Sequence, residues 1–252
     1  MYSAAGNLDG SIRAMDTVSA ILRPLPDELN TPIPYINAGK FYRMRGESLT
    51  TKGPDGSPVQ TPESRGWYQK AVEVLMRGEK IQVAVNDRNR HLDGSHGKTH
   101  VPQRWFQLHQ ELGRSYVRLS ELSKAAAAFE QAGRVRPLPE LMEELANTQV
   151  LMGDRHKAAV SLLEGLVLEP ANKRIASQVI EMYKQIDPQG CAIQYTSGPN
   201  LNLGCPLVHG DICSAFENMS GILLEGKQDA VAARVRRSAI ADFKCTADRF
   251  AE

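Results

Sequence analysis

Small and bulky apolar residues alternate along the middle of this chain at intervals that suit helices rather than strands. Gly113, Tyr116, Ala125, Phe129, Ala132 and Pro137 follow one another at spacings of three, nine, four, three and five. Steps of three and four keep residues on one helix face, and the step of nine crosses a turn between two helices. The pattern has a packing reason. Gly113 and Ala125 are small where two helices cross closely, while Tyr116 and Phe129 fill the space between. Ala132 faces the following unit, and Pro137 closes the second helix because proline cannot continue one. At a shift of 33, Ala146, Gly153, Ala158, Leu162, Gly165 and Pro170 fall where Gly113, Ser120, Ala125, Phe129, Ala132 and Pro137 fell. Two consecutive helical hairpins are therefore predicted, over 103–137 and 138–170.

Upstream, Ala38, Gly39, Tyr42 and Gly46 reproduce the first helix of such a hairpin. Its second helix is expected from Trp67 to Gly78, with Ala71 and Leu75 in the matching relation. Glu47 to Arg65 separates them and contains Gly53-Pro54-Asp55-Gly56-Ser57-Pro58, which is turn chemistry and predicts an insertion at the hairpin tip. The unit with its insertion spans 31–85, and an irregular connection is expected over 86–102. Tyr2, Gly6, Ser11, Met15 and Val18 match Tyr116, Ser120, Ala125, Phe129 and Ala132 in spacing, giving a partial unit over 1–30. Residue 1 then falls inside a first helix, as expected of a fragment of a longer protein; a degenerate unit that starts late is the alternative. After Pro170 a further helix is predicted over 171–186, with Tyr183 in register and Asp187-Pro188-Gln189-Gly190 ending it. The remaining region, 187–252, reads as a loop to Pro206 and a helical pair, Val208–Glu225 and Lys227–Phe243, turning at Gly226.

These spacings resemble those of tetratricopeptide repeat (TPR) proteins, whose helix–turn–helix units run to about 34 residues. The resemblance extends from about Tyr2 to Ile186. It implies an all-α fold, a right-handed superhelical α-solenoid, and a non-catalytic scaffold that binds a protein or peptide in a concave groove lined by first helices. Candidate groove residues are Lys40, Arg43, Gln107, Gln110 and Arg114, which are expected to project from first helices without packing roles. One TPR sub-class grips C-terminal carboxylates with a basic and amide clamp. Here the units after Lys40 and Arg43 offer Gln107, Gln110 and Glu111, then Glu140, Glu143 and Glu144, so that assignment is rejected. The tail departs from the repeat. Its Asp187-Pro-Gln-Gly-Cys191, Cys205-Pro206 and Cys245 resemble the tails of some bacterial TPR proteins in which the repeats follow a multi-pass membrane region, some of them glycosyltransferase-like. That resemblance implies an extracytoplasmic domain, periplasmic or extracellular. A second reading follows from it: an accessory domain of a larger membrane enzyme. A cytoplasmic adaptor with reduced cysteines is a third.

Composition narrows the partners. Thirty basic and 29 acidic residues among 252 leave a net charge of +1, which removes the electrostatic case for nucleic acid or an anionic membrane. Hydrophobic residues make up 42%, enough for a real core. No apolar run approaches the roughly 20 residues that cross a bilayer, so this chain is not expected to insert directly into a membrane. Met1 to Gly10 lacks the basic head and apolar stretch of a signal peptide.

Candidate chemistry is sparse. Cys191, Cys205, Cys213 and Cys245 all lie in the last quarter, and four cysteines allow three pairings. Cys213 and Cys245 are equidistant from residue 229, so a hairpin turning there brings them together at its open end. Cys191 and Cys205 would then close the preceding loop. Such pairs point to an oxidising compartment, whereas reduced thiols would point to the cytosol. Cys205, His209 and Cys213 could offer three metal ligands, as could His91, His96 and His100 with Asp87 and Asp93. A solvated loop is the better reading of the histidines, and no metal or cofactor is expected. No Gly-x-Ser-x-Gly, phosphate loop or paired-glycine fingerprint stands in a strand–turn–helix context. Asn218-Met-Ser220 matches a glycosylation acceptor only in form, since it lies in a predicted helix. Arg234, Arg236 and Arg237 read as a solvated helix face, and Trp67 and Trp105 as packing residues.

Overall fold

The computed structural model describes residues 7–54, 56–93, 103–186, 194–195, 201–202 and 206–250. It is an all-α protein of consecutive helical hairpins, divided into two compact units, Met1–Ala128 and Phe129–Glu252.

In the first unit, α1 (Leu8–Leu22) opens on Asn7, whose side chain accepts a hydrogen bond from the Gly10 amide at 2.7 Å. A short 3-10 turn (Asp27–Leu29) leads to α2 (Ile33–Ser48), which pairs with α3 (Pro62–Asp93) and also meets α4 (Gln103–Arg118). The insertion between α2 and α3 is a small antiparallel hairpin, β1 (Thr51–Lys52) with β2 (Pro58–Val59). Leu75, Leu108 and Leu112 form the core with Ile36 and Ala128. Two glycines set how closely α2 lies on α3. A Cβ on Gly39 would sit 2.3 Å from Leu75 Cγ, and one on Gly46 would sit 2.6 Å from Tyr68 Cε1.

Two boundaries differ from the sequence expectation. The second helix of this pair opens at Pro62 rather than Trp67, since proline is well placed in a first helical turn. It also runs on to Asp93, through part of the stretch expected to be irregular. Residues 86–93 contain neither glycine nor proline; the breakers Gly94, Gly97 and Pro102 come later. Tyr2, Gly6, His96 and His100 lie outside the described residues.

α5 (Leu122–Val135) begins in the first unit and ends in the second. The second unit continues with α6 (Pro139–Leu151), α7 (Arg155–Leu168), α8 (Lys173–Ile186), α9 (Pro206–Glu225) and α10 (Asp229–Ala241), then a 3-10 turn at Ala247–Phe250. A two-residue hairpin, β3 (Gln194–Tyr195) with β4 (Leu201–Asn202), stands between α8 and α9. α6 pairs with α7, α8 and α9 both pack on α7, and α10 pairs with α9. Leu163, Ile175, Val179, Tyr183, Phe216 and Met219 are all buried in one core. Although its sequence leaves the repeat, α9 therefore shares the core of the hairpins before it.

The same turn closes three hairpins. Ser120, Gly153 and Lys227 adopt φ of 62°, 85° and 57°, the left-handed region. The next amide in each case, on Glu121, Asp154 or Gln228, donates to the carbonyl five residues earlier at 2.9, 2.9 and 2.8 Å. This bond satisfies a carbonyl left over at the helix end. In the third turn Lys227, not Gly226, takes the left-handed position. Among the described residues no helix is long and apolar enough to cross a membrane.

Candidate functional site

One face of the first unit gathers most of the predicted groove residues. Lys40, Arg43 and Glu47 lie at helical spacing along α2, and Gln107, Glu111, Arg114 and Arg118 do the same along α4. Arg43 connects the two helices. Its Nε donates to Glu111 Oε2 at 2.8 Å and its Nη1 to Glu47 Oε1 at 2.9 Å. Arg114 Nη1 donates to the other oxygen of Glu111 at 3.0 Å, and Arg118 Nη2 to Glu47 Oε1 at 2.8 Å. Each carboxylate is thus held by two arginines. Burial works against the Arg43 charge, but Glu111 and Glu47 outweigh it and hold the guanidinium above its ordinary pKa.

Arg43 is the correction to the sequence reading. Expected to project without a packing role, it is 9% exposed and forms the hub of this network. α2 and α4 approach closely enough for a planar, many-donor guanidinium to bridge them, which a lysine could not do with the same geometry. Arg114, expected to project freely, also binds Glu111, yet its side chain remains 35% exposed. Lys40 and Gln107 are exposed and Gln110 is half-buried. Sequence reasoning missed Glu47 and Arg118. Glu47 stood at the start of the insertion, although its place four residues after Arg43 is the spacing of a helical ion pair.

The face carries four cations, Lys40, Arg43, Arg114 and Arg118, against two carboxylates. It continues into a cleft of about 380 Å3 beside the β1–β2 hairpin, where Thr50, Lys52 and Tyr68 join Glu47 and Arg118. The Gln60 side-chain amide donates to the Arg118 carbonyl and ties the hairpin to α4.

The other candidates fall elsewhere. Cys213 and Cys245 are joined by a disulfide, with Cα atoms 5.6 Å apart, so Cys213 offers no thiolate to a metal. Cys191 and Cys205 lie outside the described residues. Among the described residues no group of three or more His, Cys, Asp or Glu side chains converges on a point. His109, not singled out in the sequence, is buried at 5% exposure beside Trp105, and burial pushes its pKa down to about 4. Trp67 packs on Tyr42 with ring centroids 5.6 Å apart. Arg236 Nε donates to the buried Ser220 hydroxyl at 2.6 Å, while Arg234 and Arg237 are exposed.

No family model and no curated protein matches this chain. Among solved structures, a thermophilic TPR protein of Thermus thermophilus is similar with a TM-score of 0.47 and 18% identity, over 70% of this chain and 73% of that one. A kinesin light chain with nearly identical TPR-like repeats from Podosopora anserina gives 0.42 and 14%, over 95% and 90%. The chain's own geometry is TPR-like: α2 pairs with α3 and α6 with α7, glycines stand at the α2–α3 crossing, and the same left-handed turn follows α4 and α6.

Proposed function

We propose that this protein is a non-catalytic interaction scaffold that binds an acidic peptide or protein segment on its α2–α4 face. The observation that supports this reading is the excess of cations there. Glu47 and Glu111 are each shared between two arginines, and Lys40, Arg114 and Arg118 keep exposed surface. Side chains in this arrangement attract carboxylates, and the half-exposed arginines offer paired N–H donors to them. The exposed Gln107 adds an amide donor for a peptide backbone.

The test is a binding comparison by fluorescence polarisation between acidic, neutral and basic peptide pools. Wild type is expected to prefer the acidic pool, and a Lys40→Glu/Arg114→Glu variant to lose that preference. Equal binding of all pools by wild type, or an unchanged preference in the variant, refutes the reading. Arg43 is left intact because removing it would strand a buried carboxylate.

A second reading, an extracytoplasmic accessory domain of a larger membrane enzyme, is favoured by one observation, the Cys213–Cys245 disulfide, because such bonds persist in oxidising compartments. Mass spectrometry of the protein taken from its native host without reductant tests it. Free thiols at both positions would remove that support.

A further inference from the structure

The second unit contains a cleft of about 570 Å3 bounded by α5, α6, α7 and α9. Its wall carries Glu164 of α7, only 9% exposed. Asn218 of α9 donates its side-chain amide to Glu164 Oε1. The second oxygen, Oε2, has no hydrogen-bond donor among the described residues. The nearby Ser161 hydroxyl does not supply one, being committed to Gln149 Oε1 at 2.8 Å. Oε2 is not shut off from solvent, so it is the accepting atom that this nearly buried carboxylate offers to a donor arriving through the cleft.

The other charges facing the cleft come from α5, α7 and α9, while α6 presents Met142, Leu145 and Gln149. Glu130 and Arg134 stand on α5, Lys157 on α7 and Glu225 on α9. The Lys157 ammonium lies 3.0 Å from Asp154 Oδ2, which satisfies much of its charge. Three carboxylates against two cations leave the cleft acidic. Burial raises the Glu164 pKa, the Asn218 bond opposes this, and the Glu130 charge adds to it, leaving the group at about 7. Met142, Leu145 and the partly exposed Ile222 give the same cleft an apolar lining.

We propose that this cleft receives a lysine side chain of a basic peptide, with the methylene stem against Met142, Leu145 and Ile222 and the ammonium on Glu164 Oε2. Lysine fits better than arginine. A guanidinium fork needs two acceptor oxygens side by side, and Asn218 already holds one of them; a compact ammonium needs only the other. The site is separate from the α2–α4 face and of opposite charge preference, so it stands whether or not that face binds acidic segments.

The test uses the full chain with blocked Ala-Lys-Ala and Ala-norleucine-Ala peptides, read from the Asn218 side-chain amide signals by NMR. At about pH 8 the lysine peptide should shift those signals saturably and the norleucine peptide should not. Because the ammonium requires ionised Glu164, lowering the pH to about 6 should weaken apparent affinity about tenfold. Glu164→Gln should cost at least about tenfold. An equal response to norleucine, no saturable response, or unchanged affinity in Glu164→Gln overturns the proposal. Should that variant fold poorly, Glu130→Gln at an exposed position decides the matter. It should cost roughly threefold by removing a second carboxylate, and no loss at all counts against the site.

Discussion

Replacing Gly39 with alanine places a carbon where α2 and α3 leave no room for one. The added Cβ would lie 2.3, 2.6 and 2.8 Å from Cγ, Cδ2 and Cδ1 of Leu75. Leu75 cannot step aside, being 0% exposed and packed with Ile36, Leu108 and Leu112. The helices must separate or Leu75 must leave its rotamer, at a cost of about 1–3 kcal/mol. Against this, alanine is better than glycine inside a helix by about 1 kcal/mol. The net expectation is a loss of about 1 kcal/mol, with Tm lowered by about 2–4 °C. Gly66, in the facing helix α3, is the control, because a Cβ there meets nothing within 4 Å. Gly66→Ala therefore keeps only the propensity gain and should stabilise by about 0.5–1 kcal/mol. Urea unfolding followed by far-UV circular dichroism compares the two. If Gly39→Ala is as stabilising as Gly66→Ala, the close crossing does not exist and the packing account of the small residues fails.

The shared turn gives a second pair of opposite signs. Gly153→Ala at φ 85° should cost about 1 kcal/mol, and Ser120→Gly at φ 62° should gain several tenths; thermal melts in which both move the same way contradict the turn assignment. The Cys213–Cys245 bond joins positions 32 apart, which corresponds to about 4 kcal/mol of loop-closure entropy. Cys213→Ala/Cys245→Ala should lose stability of that order in urea unfolding without reductant, and a loss below about 1 kcal/mol would show that the bond does not brace the α9–α10 pair. His109 gives a pH dependence. Its pKa, lowered from 6.5 to about 4 by burial, means the unfolded chain takes up the proton first, so its contribution is complete above about pH 6.5 and fades as pH falls towards 4. The part lost is on the order of 3 kcal/mol. Melts at about pH 7 and pH 4.5 should show wild type losing more than His109→Leu, and equal losses would mean His109 is not buried as a neutral ring.

What could be read in the sequence followed from packing, because packing constrains residue size at fixed intervals. Spacing alone points to Gly39, Ala71, Leu75, Ala125, Phe129, Ala158 and Tyr183 as packing positions, and each is buried in a helix. Boundaries were less visible. α3 outran its expected end because polar residues such as Asn86 and Arg88 continue a helix when no breaker intervenes. Charged residues were the hardest. Arg43 looks like surface in any one-dimensional pattern, since its burial depends on Glu111, 68 positions away. Glu164 had no sequence signal, because its burial depends on an α9 whose sequence does not continue the repeat. A site made of charges from separate helices has no period, so periodicity cannot find it.

The Arg43 network also limits how the α2–α4 face can bind. An acidic group arriving there competes with Glu111 for Arg114 and with Glu47 for Arg118. The carboxylates are not equivalent in this contest. Glu111 is nearly buried and keeps Arg43 even if Arg114 turns outward, whereas Glu47 is one-third exposed and would share Arg43 with it. Releasing Arg114 therefore gives up its bond to Glu111 Oε1 and leaves no carboxylate stranded, while displacing Arg43 would remove one arginine from both carboxylates at once and break the link between α2 and α4. Arg114 and Arg118 are thus the arginines available to a partner, and Arg43 is the fixed point that keeps them apart. Binding built on such exchange gains little net energy per contact and is readily screened. Raising salt from about 0.05 to about 0.5 M should therefore weaken capture of acidic peptides much more than it weakens the fold; a salt-independent affinity would place the binding energy in apolar contacts elsewhere.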